Sequence, residues 1–207
     1  MTRAMDPSVK GSLVLGAVVS VRRHRDQGRI SADQLSARLD GGALQLVDQK
    51  IDIGRWYPMK DFTALLDLDW DVGSRRDPAY MRRQGEQAAD RLFSSGVYQQ
   101  LNYAERADRV ANTKDLKRQS KLITSINGSL YNFLGFEVRI GEARGDVLEI
   151  VYSNAAPFSE ALRHSTEGFM NQINQRQGSS HRWMSRRERA DVIIFTLPLP
   201  SRLVGER

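Results

Sequence analysis

After Gly135 the spacing of apolar residues changes. Upstream, apolar positions recur every three or four residues; downstream, Phe136, Val138 and Ile140 alternate with Glu137 and Arg139. Alternation marks a strand with one buried face, and the three-to-four spacing marks amphipathic helices. The strand pattern comes in two hairpins with a long helical stretch between them. Phe136 to Ile140 returns through Val147 to Tyr152 after the loop Gly141–Asp146. A helix opened by Pro157 runs to about Gln175, with Phe158, Leu162, Phe169 and Ile173 along one side. Gly178-Ser179-Ser180 ends it. The second hairpin is expected to run from His181 to Ser185, turn through Arg187 to Ala190, and return as Val192 to Leu197. Helix and hairpin in this order predict an antiparallel sheet with helices packed on one face.

The N-terminal half reads as helical. Residues 1–9 are expected to form a loose arm. From Lys10 to about Gln27 an apolar run holds Leu13, Val14, Leu15, Val18, Val19 and Val21; its valines favour a strand, and its length inclines the reading to a helix. Ser31-Ala32-Asp33-Gln34 is an N-cap signature for a short helix through Leu39, which Gly41-Gly42 should end. Pro58 should open a helix to about Leu68 with Phe62, Leu65 and Leu66 on its apolar face. Asp77-Pro78 repeats the signal for a helix from Tyr80 to Phe93, where Met81, Gly85, Ala88 and Leu92 share a face. Residues 94–112 are ambiguous. Thr113-Lys114-Asp115 starts the clearest stripe, through Leu116, Ile123, Leu130 and Leu134, with Ile126 and Phe133 beside it. The expected fold class is α+β: a helical N-terminal half and a C-terminal antiparallel sheet of two hairpins separated by a long helix. Residues 10–200 should form one domain, followed by a tail from 201 to 207. Ile123, Leu130, Phe158, Leu162, Phe169, Ile194 and Phe195 are the expected core.

Chemistry is defined mainly by exclusion. Cysteine is absent from the 207 residues, which removes disulfides, thiolate nucleophiles and Cys-type metal sites. A chain of this length buries roughly 70% of its unfolded surface and needs no metal or disulfide staple. No nucleophile elbow, phosphate loop or dinucleotide fingerprint occurs. His24, His164 and His181 are far apart in sequence. His164 sits beside the apolar stripe of the long helix; a solvent-facing side chain is expected there rather than a haem or metal ligand. Glu160 and Glu167 are read as solvated charges. No catalytic residue, metal ligand or cofactor is therefore assigned. The short apolar run Leu13–Val19 lacks a small-residue cleavage site, and a cytoplasmic location is expected.

Net charge is +6, with arginines clustered at Arg22, Arg23, Arg25 and Arg29, at Arg75, Arg76, Arg82 and Arg83, and at Arg182, Arg186, Arg187 and Arg189. Interspersed acids favour a mixed solvated surface, with nucleic acid as the alternative partner. Trp56-Tyr57-Pro58 is the most unusual local signature. Its commoner role is to plug a core where the chain turns into a helix. The candidate ligand-binding aromatics are Trp56, Tyr57, Phe62, Tyr131 and Phe158. Arg182, Trp183, Arg186, Arg187 and Arg189 are the candidate partner-binding residues, suited to an acidic protein surface or a second copy of the chain. A protected sheet edge is the competing reading of that hairpin.

The pattern resembles the superfamily that joins four-vinyl-reductase-like domains, haem–nitric-oxide-binding domains and small TRAPP vesicle-tethering subunits. The matching features are the Gly11-to-Arg25 opening, Trp56-Tyr57-Pro58 before a helix, the Arg82-to-Phe93 helix with Gly85, and the Phe136-to-Leu197 unit. In that unit Asn154-Ala155-Ala156-Pro157-Phe158 matches the family's strand-to-helix turn. The resemblance implies a regulatory or assembly module that binds a small apolar molecule or a protein. The Tyr-x-Ser-x-Arg signature of the haem-binding members is not found, so no haem is expected. A nucleic-acid-binding protein is the alternative function, and an unrecognised enzyme comes third.

Overall fold

The computed structural model describes residues 6–94, 124–140, 147–176 and 178–198. The ambiguous stretch 95–112, the expected helix start at Thr113 with Ile123, the loop 141–146 and the tail lie outside the described residues.

Strand β1 (Ser8–Lys10) takes up the end of the expected arm and pairs antiparallel with β2 (Trp56–Pro58). Helix α1 (Gly11–Asp26) follows at once and buries Val14, Ala17, Val18 and Val21. A 16-residue run needs a helix to bring those positions onto one side, so length overrides the strand preference of the valines. Arg23, His24 and Arg25 in its last turn complement the helix dipole. Helix α2 (Ala32–Arg38) carries the expected cap at Ser31 as a full capping box with Gln34.

Gly41-Gly42 does not terminate structure. It opens helix α3 (Gly41–Asp48), because Asp40 accepts the amide of Ala43 and so caps the glycines. A methyl on Gly42 would stand 2.8 Å from the Asp61 carboxylate, so the helix start packs where only glycine fits. Pro58 lies in β2 and caps α4 (Met59–Ser74), which continues past Leu68 and buries Leu68, Asp69 and Trp70 on its added turns. Asp77 accepts the amide of Ala79 at the start of α5 (Pro78–Ser94), as the Asp-Pro signal predicts. Met81, Gly85, Ala89 and Phe93 are its buried positions; Ala88 is only half-buried. Helix α6 is described over residues 124–130.

The sheet contains β3 (Gly135–Ile140), β4 (Val147–Ser153), β5 (Met184–Arg189) and β6 (Val192–Pro198), all antiparallel in the order β3-β4-β6-β5. Helix α7 (Glu160–Arg176) connects the hairpins and begins three residues after Pro157. Leu148, Ile150, Tyr152, Ile193, Phe195 and Leu197 join the main core with the helices, while Val151, Val192 and Ile194 form a small cluster on the opposite face. The α+β class and the two-hairpin sheet agree with the sequence. The second hairpin is displaced: β5 starts at Met184, and the turn is Ala190-Asp191.

Of the expected core, Leu130, Phe158, Leu162, Ile194 and Phe195 are buried; Phe169 is only half-buried. Helices α5 and α7 touch backbone to backbone. A methyl on Gly85 would overlap the carbonyl of Ser165, and one on Gly168 would overlap that of Arg82. This reciprocal contact sets how closely the two helices approach.

Candidate ligand-binding cavity

A cavity of about 70 Å³ lies among α1, α4, α5, α6 and α7. Small residues make the room: Gly16 and Ala17 on α1, Ala88 on α5 and Ser165 on α7. Leu13, Phe62, Leu66, Leu130, Leu162 and Phe169 give it apolar walls. Polar groups are fewer: Ser20, Asp69, Gln84, Arg91, Asn127, Tyr131 and Thr166. A mostly apolar hollow with a few placed polar groups is the usual form of a small-molecule site.

Tyr131 stands where α6 ends. It bridges to Val9, and its ring meets Phe133 and Phe158 at 6.1 and 5.5 Å between centroids. Its hydroxyl makes no hydrogen bond to a described residue, and burial pushes the phenol well above its usual pKa. Asn127 donates to the hydroxyl of buried Tyr152 behind it.

Asp69 is 2% exposed. Its Oδ1 accepts from the Tyr80 hydroxyl at 2.9 Å and meets His24 Nε2 at 2.8 Å. Burial raises the carboxyl's pKa, opposed by the bonds from His24 and Tyr80.

His164 is buried, contrary to the solvent-facing expectation. Its ring packs edgewise on Trp70 at 5.7 Å, and Nδ1 has no partner. Burial, with Arg163 and Arg82 nearby, lowers its pKa. Glu167 is also buried rather than solvated. It binds Arg82 and accepts the amide and hydroxyl of Ser185, tying α7 to α5 and β5. Glu160, by contrast, keeps a side chain 43% exposed while pairing with Arg163 and Arg187.

Phe62 and Tyr131, of the candidate aromatics, line the cavity. Tyr57 is buried with its hydroxyl on the Asp52 amide, and Phe158 is buried between Tyr131 and Tyr152. Trp56 is 39% exposed under the Lys10 ammonium. These three lie off the lining. Asp69, Arg91, Asn127 and Thr166 were not singled out by the sequence. Their periodicity is that of ordinary helical positions, and no local signal distinguishes them.

The candidate partner-binding hairpin divides. Trp183 is 1% exposed and belongs to the core, because its amide and carbonyl bind the Asn171 side chain on α7. Arg187 binds Glu160 and the carbonyls of Ala155, Phe158 and Ala190, which makes it a strut under the sheet. Arg182, Arg186 and Arg189 are exposed, with Arg186 on Glu188 and Arg189 near Asp191. In the other clusters Arg25 pairs with Asp48, Arg76 with Asp71 and Arg82 with Glu167.

Solved structures share this architecture. An Fe(II) unliganded H-NOX protein from K. algicida is 13% identical, with a TM-score of 0.56 over 93% of this chain and 97% of its own. A point mutant of that protein gives 15% identity and 0.56, over 94% and 98%. A third structure, from work on haem distortion in the H-NOX family, gives 12% and 0.50, over 93% and 95%. The likeness is one of fold. No family model matches the chain, and no curated protein matches it in sequence. Of the three branches named from the sequence pattern, these structures represent the H-NOX branch. Among the described residues, no helix is long and apolar enough to cross a membrane.

Proposed function

We propose that the chain is a non-catalytic ligand-binding module that takes a small, mainly apolar molecule in this cavity, and that it does so without haem. The observation that carries the reading is the cavity itself, with six apolar side chains around a hollow of about 70 Å³. The fold neighbours support a binding rather than a catalytic role, since they are H-NOX proteins.

Haem does not fit the residues present. Pockets for drug-sized ligands measure roughly 300–1,000 Å³, well above the space here. All three histidines of the chain are described, and none lines the cavity; no cysteine exists. Among the described residues, the one lining side chain of a common haem-ligand type is Tyr131. The positions two and four after Tyr131 are Phe133 and Gly135, where the haem-binding signature requires Ser and Arg. The Gly85–Gly168 contact holds the α5 and α7 backbones close together beside the cavity.

Native mass spectrometry of the purified chain, with an absorbance spectrum before and after haemin addition, tests the proposal. A bound mass well below that of haem, with no saturable Soret band, is the expected result. A stoichiometric Soret complex that Tyr131→Phe abolishes would overturn the haem-free reading.

A further inference from the structure

The cavity has a cation at its edge with no anion to match. Arg91, in the last turn of α5, lines the cavity and reaches across α1, where a methyl on Gly16 would stand 3.6 Å from its Nη2. Among the described residues no carboxylate pairs with it. Its sequence neighbour Asp90 is taken up by Gln172 and Arg176. Arg91 itself stands exposed at the cavity edge. One guanidinium thus stands without a carboxylate partner beside an apolar hollow. Arg25, Arg82 and Arg163 on these helices pair with Asp48, Glu167 and Glu160, and Arg22 binds the Val47 and Gln49 carbonyls, but none of these four lines the cavity.

The cavity's own carboxylate does not fill this role. Asp69 binds His24, which lies eight residues beyond Gly16 on α1, or about 12 Å along the helix axis. Its Oδ1 already carries two hydrogen bonds. The cavity's unmatched cation is therefore Arg91 near Gly16, and the Asp69–His24 pair lies toward the other end. An anionic group is favoured beside Arg91.

Building on the small-ligand reading, we infer that the ligand is a short-chain monocarboxylic acid. Its carboxylate pairs with Arg91 at the cavity edge, and its apolar tail lies among Leu13, Leu66 and Phe169. A guanidinium can meet a carboxylate through two parallel hydrogen bonds, so it selects the acid over an alcohol of equal length.

NMR titration of the full chain with hexanoate and with 1-hexanol at neutral pH tests this. Hexanoate should bind the wild type up to about fivefold tighter than hexanol, the range for an ion pair at a solvent-exposed guanidinium. Arg91→Gln should abolish that preference by weakening hexanoate far more than hexanol, and Arg91→Lys should restore part of it. Retained hexanol binding by Arg91→Gln also shows that the variant is folded. Equal binding of the two probes by the wild type would overturn the carboxylate inference and leave the cavity reading standing. So would an undiminished preference in Arg91→Gln. If neither probe binds, the cavity reading falls and this inference falls with it.

Discussion

Phe158 and Phe169 belong to the same apolar stripe in the sequence but have different environments. Phe158 is enclosed by Tyr131 and Tyr152, and Phe158→Ala should cost about 3–5 kcal/mol in a urea titration. Phe169 is half-buried and borders empty space, so Phe169→Ala should cost clearly less, about 1–2 kcal/mol, and should enlarge the cavity. Equal costs would mean that the cavity wall is misplaced. His164 offers a test by pH. Its folded pKa lies below the ordinary 6.5, so between the two values the unfolded chain holds a proton that the folded chain lacks. Its contribution to stability is present above pH 6.5 and is lost as pH falls through that window. His164→Phe keeps a ring against Trp70 and should lose less stability than the wild type between pH 7.5 and about pH 5. Identical slopes in denaturant midpoints would place the acid sensitivity elsewhere. The sequence put His164 on the right helix but not on the right side. Its neighbours Trp70 and Arg82 come from distant helices, and a helical wheel of α7 alone does not contain them.

At the scale of elements, the α5–α7 contact depends on two glycines. Gly85→Ala should destabilise by about 2–3 kcal/mol, because the methyl meets backbone that cannot move aside cheaply. Gly128→Ala on α6 meets no atom within 4 Å and should be neutral or stabilising by up to about 1 kcal/mol. A comparable loss in both would remove the close-contact explanation. In the second hairpin, reversing Arg187 to Glu should lower the melting temperature, since it breaks the bonds to Glu160 and three carbonyls. Reversing Arg186 and Arg189 together should leave it nearly unchanged. Helix starts were readable where a cap chemistry announces them, as at Ser31 and Asp77. Gly41-Gly42 misled because glycines also signal a stop, and the cap at Asp40 decided otherwise. The β5 register was missed for a different reason. The inward residues of MSRRER are Ser185 and Arg187, which reach Glu167 and Glu160 through hydrogen bonds, so no apolar alternation marks the strand.

For the whole molecule, the order of helices and hairpins was readable because each rests on a local period, and the solved H-NOX structures share that architecture. The cavity was only partly readable. Phe62 and Tyr131 stood out as aromatics, but Gly16, Ala17, Ala88 and Ser165 create the space, and small residues on three separate helices leave no joint signature in sequence. The cavity is therefore where the functional proposal is most directly exposed to measurement. Amide spectra of the isotopically labelled wild type during 1-hexanol titration should show saturable shifts clustered at Phe62, Leu130, Tyr131, Thr166 and Phe169. Ala88→Leu, which places a larger side chain in the hollow, should abolish them while the chain stays folded. Shifts that are absent, scattered over the surface, or unchanged in Ala88→Leu would contradict a ligand site at this place in the fold.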